Sequence, residues 1–324
     1  MLRKSLVAAA AALIATASTA VAEQINFGII STESTSNLKK TWDPFIADME
    51  KKIGLKVKPF FASDYAGIIE GMRFNKVQVA WFGNKSAMEA VDRSNGEIFA
   101  QTVDGSGNPG YWSLILVHKD SPFQKLEDVL KCDQSLNFGI GDPNSTSGFL
   151  VPTTFIFSAK NIDPKKCFKT VRNANHEANA LAVANKLVDA AANNTENMRR
   201  LEKTAPDKAK NIRVIWKSPL IPSDPLVWRA DLDPALKKKI SDFIFTYGTS
   251  DPAEKKVLAG LDWAPFRKSD NNQLLPIRQM EVNKKIAKIK SDGKMSDAEK
   301  AKAIEPLEKQ FAELGKKIEN MKSN

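Results

Sequence analysis

The sequence predicts an α/β protein folded as two lobes, and three observations predict it. Short apolar runs alternate with helical patterns along most of the chain, the rhythm of strand and helix units built on a mostly parallel sheet. That rhythm breaks at Asp120-Ser121-Pro122 and starts again, then breaks once more where Pro219, Pro222 and Pro225 punctuate the chain. With an N-terminal leader set aside, about 300 residues remain, enough to build two cores.

The first lobe is read as strand Ile25 to Ile30, helix Leu38 to Ile53, strand Leu55 to Phe61, helix Tyr65 to Phe74, strand Val77 to Phe82, helix Ser86 to Ser94 and strand Ile98 to Val103. Tyr111 to His118 forms a further long apolar strand, and the crossing to the second lobe is placed after it. The second lobe repeats the pattern, with strands at Leu136, Phe168, Val188 and Ile212 and helices starting near Ser145, Glu177 and Thr195. Helices at Pro234 to Tyr247 and Pro252 to Leu258 return to the first lobe. The expected division is therefore residues 23–118 with 226–272 in lobe 1, residues 119–225 in lobe 2, and a helical extension over 273–324.

Arg3 and Lys4 precede an apolar run from Leu6 to Ala15, and Ala20 and Ala22 suit cleavage before Glu23. Residues 1–22 thus read as a secretory signal peptide, which predicts export. The formal charge is +10. Without Arg3 and Lys4 it is +8, and residues 284–324 hold 11 lysines against 7 acids, or +4 of that excess. Aromatics do not alternate with those lysines in the way single-strand binding needs, so the tail reads as a solvated helical surface and no nucleic-acid partner is expected. Cys132 and Cys167 are the only cysteines, one ahead of each of two strands that would share a sheet end if parallel. In an oxidising compartment the pair reads as one disulfide. Two thiols without a C-x-x-C spacing and two histidines do not make a metal shell, and no cofactor motif is present.

In the extension, Val282, Ile286 and Ile289 mark one helix, Ser291-Asp292-Gly293 a turn, and Ser296-x-x-Glu299 a capping box that opens a second helix. Along that second arm Ile304, Leu307, Phe311, Leu314, Ile318 and Met321 lie three and four residues apart, and Pro306 predicts a kink near its start. The stripe must be covered, either by the chain's own lobe or by a second copy in a homodimer.

The segment Gly141-Asp142-Pro143-Asn144-Ser145-Thr146-Ser147-Gly148 joins a short apolar strand to an apolar helix. A helix start leaves backbone N–H groups unpaired and carries the positive end of the macrodipole. Its hydroxyls therefore read either as an ordinary N-cap or as a seat for an anion. Other polar candidates sit at strand ends or helix starts: Tyr65, Tyr111, His176, Glu196 and Asp224. Such positions line the ligand crevice of open α/β sheets, although each also has a duller reading as a cap, turn or half-buried helix residue. No G-x-S-x-G, P-loop, complete dinucleotide fingerprint or H-E-x-x-H occurs, which disfavours an enzyme. The sequons at Asn84, Asn144 and Asn193 read as chance matches.

The chain resembles the periplasmic phosphonate-binding protein family of phosphonate ABC transporters. The resemblance is carried by Phe27 to Ser34, Asp64 to Ile69, Gly71 to Val77, Pro109 to Trp112, Gly141 to Pro152, Asn179 to Lys186 and Trp216 to Pro222, and it runs from about residue 25 to residue 280. It implies a two-lobed receptor of the type II periplasmic binding fold that captures alkylphosphonates such as 2-aminoethylphosphonate. Such a receptor delivers them to the permease and ATPase subunits of an ABC importer. Carried across residue by residue, it implies that Ser145, Thr146 and Ser147 hold the phosphonate oxygens, aided by Tyr65, Tyr111 and His176, while Glu196 and Asp224 receive the ammonium. Phe82 departs from a tyrosine found in the family after the preceding tryptophan, the two cysteines lie outside the family pattern, and the tail diverges after Met280. Two other readings stay open: a receptor for another oxyanion, such as phosphite or a phosphate ester, and an exported hydrolase with Ser145 or Ser147 as nucleophile and His176 as base.

Overall fold

A computed structural model describes residues 24–322, and the expected signal peptide over residues 1–22 lies outside the described residues. In chain order the first elements are β1 (Gln24–Ile29), α1 (Thr35–Ile53), β2 (Lys56–Phe61), α2 (Tyr65–Arg73), β3 (Val79–Trp81), α3 (Asn84–Arg93) and β4 (Gly96–Asp104). Each forms for a local reason that α1 illustrates. Ser34 caps its start by accepting the Asn37 N–H at 3.3 Å, and Gly54 ends it in the left-handed region at φ 67°. Between these ends Leu38, Trp42, Phe45, Ile46, Met49 and Ile53 fall on one face and are buried.

The chain continues through β5 (Gly110–Tyr111), β6 (Ser113–His118), α4 (Leu126–Val129) and β7 (Asn137–Ile140), then two π-type helical turns, Thr146–Leu150 and Thr153–Ser158. After these come α5 (Pro164–Cys167), β8 (Thr170–Asn173), α6 (His176–Ala184), β9 (Ala190–Asn194), α7 (Thr195–Thr204), α8 (Pro206–Ala209), β10 (Ile212–Lys217) and β11 (Ile221–Pro222). The last elements are β12 (Pro225–Arg229), α9 (Pro234–Thr246), α10 (Pro252–Gly260), β13 (Trp263–Lys268), a 3-10 turn Asn271–Leu274, α11 (Leu275–Lys290) and α12 (Asp297–Lys322).

Two sheets organise the lobes, in the orders β13-β4-β12-β3-β1-β2 and β10-β6-β9-β7-β8, and β5 pairs with β11 in a two-stranded ribbon between them. The first sheet is packed by an aromatic core in which Trp42 meets Phe27, Phe45, Trp81 and Trp263 with ring centroids 5.4 to 5.8 Å apart. The second is covered on one side by Phe138, Phe157 and Phe168 and on the other by Leu116, Val183 and Leu201.

Two expectations about this layout are corrected. The sheets are mixed rather than mostly parallel: β1 with β2 and β3, and β7 with β8 and β9, are parallel, but β12, β13, β6 and β10 pair antiparallel. Strands β6 and β12 arrive from the other lobe without a crossover helix over their own sheet, and such a helix is what returns a strand parallel. The crossing also comes earlier than residue 118. Tyr111 to His118 is not one strand: it breaks at Trp112, Gly110–Tyr111 joins the ribbon, and Ser113–His118 lies in the second sheet beside β9 and β10.

Cys132 and Cys167 are disulfide-bonded, 35 residues apart, beside the parallel pair β7 and β8. The extension is a helical hairpin of α11 and α12. The capping box is present, with Ser296 N–H donating to Glu299 Oε2 at 2.8 Å. Pro306 lies within α12, which continues through it as one helix. Of the apolar stripe, Ile304, Leu307 and Leu314 pack on Val282, Ile286 and Ile289 of α11, whereas Phe311 and Met321 stay 37% and 47% exposed. Leu274 and Ile277 are buried in the lobe 1 core, so the root of the extension belongs to the body of the protein.

Candidate functional site

The carboxyl ends of the parallel strands point into the space between the lobes, and helix starts follow them there: α2 after β2, α3 after β3, the Thr146 turn after β7, α6 after β8 and α7 after β9. Five positive dipole ends therefore converge on one small, tightly closed cavity. All eight residues predicted from the sequence line it: Tyr65, Tyr111, Ser145, Thr146, Ser147, His176, Glu196 and Asp224. All eight are buried.

The hydroxyl loop divides its labour. Ser145 is the cap, its Oγ accepting the Gly148 N–H at 3.0 Å. Thr146 and Ser147 are free of that duty. Thr146 Oγ1 instead accepts the Lys85 N–H of α3 at 2.9 Å, a bond from one lobe to the other, and Ser147 Oγ accepts Asn194 Nδ2 at 3.0 Å. The loop folds tightly because Gly141 and Gly148 lie against each other, with the Gly141 N–H donating to the Gly148 carbonyl at 2.8 Å. A side chain at Gly141 would meet the Gly148 Cα at 2.6 Å.

The same cavity holds two buried carboxyls. Tyr111 Oη donates to Asp224 Oδ1 at 2.8 Å, and Asn84 Nδ2 lies 3.5 Å from the same oxygen. Burial first, and then the neighbouring Glu196, push the Asp224 carboxyl well above the usual range. Burial also raises Glu196, partly offset by Arg200 and Arg199. A positive charge placed between two such acids would relieve their mutual repulsion.

His176 is kept neutral, its pKa lowered to about 3 by burial and then by Arg200. Its Nε2 lies 3.3 Å from Ser145 Oγ and 3.5 Å from Ser147 Oγ, while the buried Nδ1 has no partner. A serine and histidine pair working as nucleophile and base needs a third group to orient the imidazole, and none is present at Nδ1.

Sequence reasoning missed Thr32, Trp81, Gly83, Asn194 and Arg200, which also line the cavity. Asn194 caps α7 and had only its place at a strand end to mark it. Arg200 follows Glu196 by four residues, the spacing of a local helical pair, yet it bonds Glu33 of the other lobe instead. Phe82, the noted departure from the family, is buried in the lobe 1 core and does not line the cavity.

Bonds from lobe to lobe close the cleft. Besides Lys85 to Thr146, the Tyr65 N–H donates to Asp142 Oδ2 at 3.2 Å and the Ser34 N–H to Glu177 Oε2 at 2.7 Å. From α7, Arg199 pairs with Asp104 and with Asp262, the latter at 2.9 Å, and Lys203 pairs with Asp262 at 2.7 Å.

A family model described as the periplasmic substrate-binding protein of a phosphonate ABC transporter matches residues 27–274. The chain belongs to that family. The Phosphonates-binding periplasmic protein of Escherichia coli (strain K12) is 56% identical over 290 residues, 90% of this chain and 85% of that one. A crystal structure of a binding protein component of an ABC phosphonate transporter from Pseudomonas aeruginosa is also 56% identical, with a TM-score of 0.90 over 92% of this chain and 99% of that one. The phosphate-import protein of Mycolicibacterium smegmatis is 34% identical over 214 residues, 61% of this chain and 64% of that one. Members of the family are periplasmic substrate-binding transport proteins, not enzymes, and the hydrolase reading of Ser145, Ser147 and His176 falls with that membership.

Proposed function

We propose that the cleft captures short zwitterionic alkylphosphonates of the 2-aminoethylphosphonate kind and presents them to the permease and ATPase of an ABC importer. The observation that carries this reading is the pairing, in one cavity, of converging helix starts and buried hydroxyls with the buried acids Glu196 and Asp224. The phosphonate oxygens take Thr146 and Ser147, the Ser145 loop amides, Tyr65, Tyr111 and His176. A doubly charged headgroup gains charge-assisted hydrogen bonds there. The ammonium sits between Glu196 and Asp224, neutralising the repulsion that burial imposes on them.

Phosphate and phosphite bring no cation, so closing on them leaves that repulsion in place, which supplies discrimination without a steric clash. The phosphate-import relative makes inorganic phosphate the necessary control. Calorimetric titration against 2-aminoethylphosphonate, ethylphosphonate, phosphate and phosphite tests the reading. Glu196→Gln or Asp224→Asn should cost the amine-bearing ligand roughly 1.5 to 3 kcal/mol more than ethylphosphonate, the worth of a charged hydrogen bond. Equal losses for both ligands would refute the ammonium site.

We also infer that α12 supplies a homodimer contact, because Phe311 and Met321 remain outside the packing on α11. Light scattering of a Phe311→Glu, Met321→Glu variant should report half the mass of the parent protein. An unchanged mass removes the contact from α12.

A further inference from the structure

Glu196 and Arg200 stand one turn apart on α7, and both line the ligand cavity. Arg200 alone among the cavity-lining residues carries a permanent positive charge. Its Nε donates to Glu33 Oε1, and Glu33 follows β1 in the opposite lobe. The two side chains keep only 13% and 7% of their exposure. Arg200 and Glu33 also share a second small cavity with Thr32, Trp42, Trp81 and Trp263. The guanidinium is thus set between the ligand chamber and a wall of indoles, with carboxyls on both sides.

The other charges nearby are already matched. On the same helix Arg199 is bonded to Asp104 of β4 and to Asp262 before β13, and Lys203 is bonded to Asp262. Asp224 is bonded to Tyr111 of β5, Asp142 accepts the Tyr65 N–H at the start of α2, and His176 of α6 is neutral. Arg200 is therefore the cation that faces Glu196 from within the closed cleft, and Glu33 fixes it there only while the lobes meet.

We propose that Arg200 is a positioning residue for amine recognition: tethered across the cleft by Glu33, it keeps Glu196 a carboxylate, so that lobe closure completes the ammonium site. This rests on the ammonium role of Glu196 given above. Glu33 holds Arg200 through Nε alone, so a direct phosphonate contact by its other N–H groups is the alternative that the test distinguishes. Burial disfavours charge on Glu196, and Arg200 is the largest influence opposing that. Without it the push of burial towards the neutral acid is less opposed, and the ammonium meets a weaker negative partner.

The test measures affinity for 2-aminoethylphosphonate and for ethylphosphonate, between about pH 6 and pH 9, in the parent protein and in Arg200→Gln, Arg200→Lys and Glu33→Gln. In Arg200→Gln the preference for the amine should fall by about tenfold or more near neutrality and recover as pH rises and Glu196 ionises. Losing the lobe-to-lobe bond to Glu33 weakens closure on either ligand, so ethylphosphonate affinity should fall too, but by less than that of the amine-bearing ligand, and Arg200→Lys should restore part of the preference. Glu33→Gln reaches the same pair from lobe 1 without touching α7 and should lower the preference in the same direction. Equal losses for both ligands, or a lost preference that does not recover with pH, would overturn the proposal in favour of a direct phosphonate contact or a plain structural tie. Glu196→Gln, measured alongside, separates the failures. If it leaves the preference intact, the ammonium reading itself is wrong; if it abolishes the preference while Arg200→Gln does not, only the role of Arg200 is wrong.

Discussion

Ser145, Thr146 and Ser147 are neighbours of similar chemistry with different work, and substitution should separate them. Ser145 caps the helical turn, so Ser145→Ala should cost about 1 kcal/mol of fold stability. Thr146 and Ser147 do not cap their own turn, and the Thr146 bond to the first turn of α3 exists only while the lobes meet. Replacing both by alanine should weaken every phosphonate, with or without an amine, by roughly 3 to 6 kcal/mol while the unliganded protein melts nearly as before. Normal binding with a much earlier melt would move the anion seat elsewhere. Asp224 carries a second expectation, in pH. Its carboxyl holds a proton in the folded protein that the unfolded chain gives up near pH 4, so the native state binds more protons above that point. Stability of the unliganded protein should therefore fall as pH rises from about 4 up to the raised titration of Asp224, and Asp224→Asn should flatten that fall in thermal melts. A slope unchanged by the substitution would show that Asp224 is not its source. The eight predicted residues were legible because each stands at a strand end or a helix start, where the sequence alone marks the crevice. Arg200 and Trp81 were not, because their roles come from partners far off in the chain, Glu33 and the Trp42 and Trp263 rings.

Elements with their own periodicity were readable, and elements defined by their neighbours were not. Helix α1 shows its buried face in the spacing of Leu38, Trp42, Phe45 and Met49. Strand β12 is five residues beginning with a proline, and only its insertion between β3 and β4 makes it a strand. Strand β13, at the sheet edge, contains Pro265, which a sequence reader takes as a breaker. The stripe on α12 announced a covered face, yet spacing alone left open that Ile304, Leu307 and Leu314 meet α11. The cysteine pair was legible from compartment and placement. Its bridge closes a loop of 35 residues beside β7 and β8. Replacing both cysteines by serine should cost about 4 kcal/mol in the chain-entropy model, read from denaturant unfolding. Since neither cysteine lines the ligand cavity, phosphonate affinity should hold. Intact stability after the double substitution would assign the bridge no structural role.

The two lobes were visible in the repeated rhythm and the proline breaks, but rhythm does not say which sheet a strand enters, and β6 went to the lobe opposite the one expected. What the whole molecule adds is a set of contacts that exist only between lobes. Helix α7 sends Arg199 to Asp104 and Asp262, and Lys203 to Asp262, on lobe 1. Asp104 is only 2% exposed. Removing one partner of a buried pair leaves an uncompensated charge and costs about 3 to 5 kcal/mol. In a protein that opens by a hinge, that cost does not fall on the fold as a whole. When the lobes part, Asp104 and Asp262 reach water, so the penalty of Arg199→Gln is confined to the closed state. Closure is shared by every ligand, whatever its tail, so the variant should bind 2-aminoethylphosphonate and ethylphosphonate more weakly by similar factors. The unliganded melting temperature should change little if the free protein spends its time open. Added salt should weaken the parent protein more than the variant, because part of the attraction that salt screens has already been removed. Calorimetry of both ligands at low and high salt, with melts of the free protein, checks this. An unchanged affinity joined to an earlier melt would make these pairs ties of the resting fold, present with or without closure.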